Sequence, residues 1–148
     1  MFNLSLLFAQ NPYNFVLAWL LLILSVAAVY DIYQRRIPNL LVLLGLAVLL
    51  ILQAWLQALQ PLSLLLGFIV GLTAWQLKLI GGGDSKLLIF VSAAFAPTHL
   101  LTIYLCIAGA GAIQALVAIV FKQNKKLPYA VAILVGTITG IIYSCSKY

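Results

Sequence analysis

Long apolar runs, separated by short clusters of proline, glycine and basic residues, set the organisation of this chain. The first run, FVLAWLLLILSVAAV, extends from about Pro12 to Tyr33 and carries Asp31 near its end, before Arg35 and Arg36. Pro38 and Asn39 restart the chain, since proline is tolerated in a first helical turn and biases its predecessor away from helix. A second run reaches about Leu56 and closes in a polar patch with Gln53, Gln57 and Gln60; Pro61 opens a third, LSLLLGFIVGLTAWQLKLI, marked at its far end by Lys78.

Gly81, Gly82 and Gly83 then interrupt helix formation, because residues without side chains lose the most backbone entropy in a helix. From Ser85 to Pro97 a fourth helix would be only about 20 Å long at ~1.5 Å per residue, against a hydrocarbon core of ~30 Å. Either Pro97 lies inside a longer kinked helix, or the GGGD segment sits below the membrane surface in a protein-lined, wet cavity; the second is expected. A fifth run spans about Thr98 to Phe121 and stops at Lys122, Lys125 and Lys126, and Pro128 starts a sixth, YAVAILVGTITGIIYSC. Gly67 with Gly71, and Gly136 with Gly140, give two GxxxG spacings suited to close helix packing.

Composition turns these runs into membrane spans. The chain is 66% hydrophobic and 7% charged, with a mean hydropathy of +1.20, a balance that leaves too little polar surface for a soluble domain. The expected fold is all-α and polytopic, with six transmembrane helices in one membrane domain over residues 1–148 and the glycine-aspartate segment at the start of the fourth. The net charge of +6 reads as topology rather than nucleic-acid binding, because the basic residues fall between the runs. With the amino terminus outside, Arg35, Arg36, Lys78, Lys86, Lys122, Lys125 and Lys126 all face the cytoplasm and Lys147 alone faces outward. Cys106 and Cys145 lack CxxC spacing and read as small apolar residues. The opening MFNLSLLFAQN has no positively charged segment and is not read as a cleaved signal.

Asp31 and Asp84 are the whole acidic side-chain inventory. A carboxylate in or beside a membrane is costly unless paired or functional, and six alternating spans return both aspartates to the cytoplasmic half. Two such groups at one depth share a proton and titrate together. Aspartyl-type peptide hydrolysis needs that arrangement: one carboxylate takes a proton from the attacking water, and the other donates to the carbonyl oxygen and then to the leaving amine. The bland reading pairs Asp31 with Arg35 and Asp84 with Lys86. Helix dipoles favour charge on Asp84, at a helix start, over Asp31, at a helix end, which makes Asp84 the expected base and Asp31 the expected protonated acid unless Arg35 or Arg36 stabilises ionised Asp31.

DIYQRRIPN from Asp31, with Arg36 as its basic position, followed by GGGDSKLL, resembles the type IV prepilin leader peptidase family of aspartyl proteases, whose second motif is GxGD. KKLPYAVAILVG is similar to a further segment of that family. The resemblance implies a peptidase of the bacterial cytoplasmic (inner) membrane, multi-pass, that removes a short basic leader from prepilins or pseudopilins after glycine at the cytoplasmic face. It implies Asp31 and Asp84 as the catalytic pair and Gly81 and Gly83 as the motif glycines. No cofactor is expected, and no constellation of histidines, cysteines and acids supports a structural metal site. Larger members carry a methylating domain with CxxC pairs; this chain has neither, and looks like the short, peptidase-only form of tight-adherence or Flp-type pili. Prepilins, membrane lipid and a transient contact with the pilus assembly machinery are the implied partners.

Arg36 and Lys86 are candidates for a supporting role, although topology alone accounts for basic residues there. His99 falls at the outer side, away from the acids. Trp19, Trp55 and Trp75 are expected against lipid or other helices. Two further classes stay open: a small proton- or cation-coupled carrier using the aspartate pair, and a noncatalytic membrane assembly subunit using the GxxxG faces.

Overall fold

The computed structural model describes residues 13–120 and 128–146. They form six helices: α1 (Tyr13–Gln34), α2 (Asn39–Trp55), α3 (Pro61–Gln76), α4 (Gly82–Ala94), α5 (Pro97–Val120) and α6 (Tyr129–Ser146). Proline sets four of the starts. Pro38 caps α2, Pro61 and Pro97 are the first residues of α3 and α5, and Pro128 directly precedes α6, where a missing N–H costs nothing. The break at Phe95, whose backbone is extended, ends α4 before Pro97, so α4 is a separate 13-residue helix rather than half of a kinked one.

α1 and α5 are long and apolar enough to cross a membrane, while α2, α3 and residues 129–144 of α6 are apolar but shorter. The shortest helix is the most enclosed. α4 packs against α1, α2, α3 and α6, and Leu87, Phe90 and Val91 are fully buried in a core shared with Leu20, Leu24, Ile103 and Ile133. Outward faces are apolar as well: Leu101, Leu105, Ile113 and Ile119 of α5 are all well exposed. A surface of that kind calls for lipid or protein rather than water.

Both GxxxG pairs sit at close helix crossings. A Cβ on Gly67 would collide with the Ser92 side chain, and one on Gly71 would lie 3.0 Å from the Ser85 carbonyl oxygen; the Ser85 hydroxyl donates to the Gly71 carbonyl at 2.6 Å. These contacts fix α4 on α3. Gly136 and Gly140 do the same for α6 on α5, facing Ile107 and Ile103. Trp19 belongs to the interior, its Nε1 donating to the Gly45 carbonyl at 3.0 Å, whereas Trp55 is exposed.

Candidate active site

A cavity of about 690 Å³ opens at one end of the bundle, lined by Asp31, Arg35, Trp75, Lys78, Gly81, Gly82, Asp84 and Tyr129. The two aspartates, 53 positions apart in the sequence (84 − 31), thus share one space and lie within Coulombic range of each other. Asp31 comes from the last turn of α1 and is 9% exposed. Asp84 comes from the first turn of α4.

Each carboxylate is held by backbone. The N–H of Ala130, in the first turn of α6, donates to Asp31 Oδ2 at 3.1 Å. A hydrogen bond to a charged acceptor of this kind contributes about 1.5–3 kcal/mol. Asp84 is the third residue of α4, behind the cap Gly81, and its carboxylate lies back over Gly81 within hydrogen-bonding range of that N–H, as the acidic residue of a capping box does. Both acids therefore face the N-terminal end of a helix, α6 for Asp31 and α4 for Asp84. The N–H groups at the start of α6 act on Asp31 against the asymmetry expected from α1 and α4 alone.

The glycines act through space rather than through unusual backbone. No described glycine has positive φ; Gly81 is extended, and Gly82 and Gly83 begin α4. A Cβ on Gly81 would sit 3.0 Å from Asp84 Oδ2, one on Gly82 3.5 Å from Trp75 Nε1, and one on Gly83 3.3 Å from the Ile37 side chain. The triplet is a clearance for the carboxylate on one side and for Trp75 and Ile37 on the others.

Ile37 ties the two acidic segments together, and a second tie follows one turn on, where Lys86 Nζ donates to Asn39 Oδ1 at 2.6 Å. Lys86 consequently serves the junction between segments and does not line the acid cavity. Arg36 is exposed and is likewise absent from the lining. Their neighbours Arg35 and Lys78 line it instead. Both end their helices with φ of 52° and 55°, the left-handed conformation of a helix C-terminal stop, and neither makes an ion pair or side-chain hydrogen bond among the described residues. Lys122, Lys125, Lys126 and Lys147 lie outside the described residues.

Tyr129 and Ala130 are the site residues that motif spacing missed. Tyr129 leans over Gly111, where a Cβ would meet its ring at 2.8 Å, and reaches the cavity. Their signal was the KKLPYAVAILVG segment, whose bearing on Asp31 runs through a backbone N–H.

The sequence profile of the type IV leader peptidase family matches residues 15–145. The chain belongs to that family. Type IV leader peptidases are aspartic-type peptidases, and the match contains both aspartates, the glycine triplet and the first turn of α6. No curated protein and no solved structure matches the chain.

Proposed function

We propose that this chain is a six-span endopeptidase of the bacterial cytoplasmic membrane that cuts the short basic leader from type IV or Flp-like prepilins after glycine, at the cytoplasmic face. Asp31 and Asp84 are its catalytic pair. The observation that carries this reading is convergence: a chain with two carboxylate side chains places both in one cavity, although burying one acid near another is unfavourable without a use for it.

In the proposed reaction the pair holds one proton and a water. The ionised carboxylate takes a proton as the water oxygen bonds to the scissile carbonyl carbon, while the protonated partner hydrogen-bonds to the carbonyl oxygen. Collapse of the tetrahedral species breaks the C–N bond, with a proton passing to the leaving amine, and returns a carboxylate product and a free amino terminus. The Ala130 N–H and the cleared space at Gly81 keep the carboxylates at their working positions, which matters because placement errors of ~1 Å cost on the order of 10²-fold in rate. Gly83 and the Ile37 contact hold the first turn of α4 beside the end of α1.

Coexpression with a Flp-type prepilin tests the reading. The wild-type chain converts the precursor to the shorter form, and Asp31→Asn or Asp84→Asn, which remove a titratable group at nearly constant size, leave it uncut while accumulating in the membrane. Uptake of protons into vesicles without any cleavage would replace the peptidase by a carrier.

A further inference from the structure

The acid cavity is not alone among the described residues: a larger space lies beside it. This groove of about 910 Å³ runs between α2 and α3, with Lys86 and Ile89 of α4 in its lining. α2 and α3 follow one another in sequence, yet each packs on α4 and makes little contact with the other, so they diverge and leave a wedge. Leu40, Leu43 and Leu46 form one wall and Leu64, Leu65 and Phe68 the other. Leu43 is 65% exposed and Phe68 50%, so the walls are open to whatever surrounds the bundle.

The chemistry at one end identifies what would fit. Lys86 Nζ spends one N–H on Asn39 and meets no acid, because both carboxylate side chains of the chain line the other cavity. A cation beside apolar walls draws an anion from outside, and basic sites between membrane helices near the cytoplasmic surface are the usual seats of anionic lipid headgroups. A free phosphate would leave the leucine walls uncovered. A substrate helix would be on the wrong side: at 3.6 residues per turn, Lys86 lies about 200° around α4 from Asp84, so the first turn of α4 separates the groove from the acids.

We propose that the groove binds one anionic phospholipid of the cytoplasmic leaflet, its phosphate on Lys86 and Asn39 and an acyl chain between α2 and α3. The proposal goes beyond the peptidase reading and shares with it only the orientation of the bundle. A lipid seated there joins α2 and α3 to α4, the helix whose first turn carries Asp84.

Native mass spectrometry of the purified full chain, offered equimolar phosphatidylglycerol and phosphatidylcholine, tests it. The wild type retains one phosphatidylglycerol in preference; Lys86→Gln lowers that retention about tenfold, Lys86→Arg restores it, and Arg36→Gln, outside the groove, leaves it unchanged. Absence of a preference, or equal loss in Lys86→Gln and Arg36→Gln, overturns the site. A photoreactive residue in place of Leu65, irradiated in membranes that also contain prepilin, gives a phospholipid adduct; a prepilin adduct instead overturns the lipid in favour of substrate docking. Neither readout depends on cleavage, so the lipid site and the peptidase reading fail separately.

Discussion

The two ends of the bundle each hold a cavity with polar side chains in its lining, and the two are built differently. At one end Asp31 and Asp84 share about 690 Å³ with Arg35, Lys78 and Tyr129. At the other, about 340 Å³ is lined by Gln53, Gln60, His99 and Ser144 together with apolar side chains. The second cavity contains the chain's one histidine but no carboxylate. Its most buried polar group, Gln53, ties α2 to α4 by donating from Nε2 to the Ala93 carbonyl at 2.7 Å, and its Oε1 is without a partner among the described residues. What separates the ends is that one positions ionisable oxygens against backbone N–H groups and keeps the space around them clear with glycine.

The largest effect that would sharpen this contrast comes from moving a carboxylate without removing it. Asp31→Glu keeps the charge but carries the oxygens one methylene past the Ala130 N–H, and cleavage of a coexpressed prepilin should fall by about 10²-fold with membrane accumulation unchanged. Near wild-type turnover in this variant would show that placement at the acid end is unimportant. Next in size is Gly83→Val, which presses on Ile37 and shifts the first turn of α4. Its cleavage rate per folded molecule should drop roughly tenfold, whereas Leu88→Ile, which conserves volume, stays close to wild type; equal rates in the two would remove the clearance role of the triplet.

Changes at the opposite end should act on stability. Gln53→Leu breaks the tie to Ala93 and should cost about 1 kcal/mol, read as a lower melting temperature in detergent, at unchanged cleavage per folded molecule. A cleavage defect without a stability change would assign the Gln53 cavity a part in the reaction. Smallest of all, His99→Ala should leave cleavage within about twofold of wild type, since no role in proton transfer reaches it from the opposite end.

The architecture was largely legible because proline and glycine mark helix ends by simple sterics, and Pro38, Pro61, Pro97 and Pro128 all do so here. Asp31 and Asp84 stood out as the only acids, and alternation of the runs returned them to one end. The surroundings of the pair were harder to read for three physical reasons. Arg35 rather than Arg36, and Lys78 rather than Lys86, reach the cavity because the chain turns through left-handed backbone at Arg35 and Lys78, and side-chain direction past a helix end does not follow helical spacing. The glycine triplet reads as a helix break, yet Gly82 and Gly83 begin α4, and the neighbours Asp84, Trp75 and Ile37 become visible only when α1, α3 and α4 are assembled. The Ala130 N–H, 99 positions from its partner, is a backbone group that every residue but proline carries, so composition cannot announce it.

The most direct test of the central claim, that the two aspartates work as one unit, is a double-mutant cycle on purified protein in a bilayer mimetic, with cleavage of a synthetic prepilin measured for wild type, Asp31→Asn, Asp84→Asn and the double variant. Groups that act together lose activity together. The account predicts that each single variant, shown to be folded, falls to the level of the double variant. A folded single variant near wild-type turnover, or losses that multiply in the double variant, would contradict it.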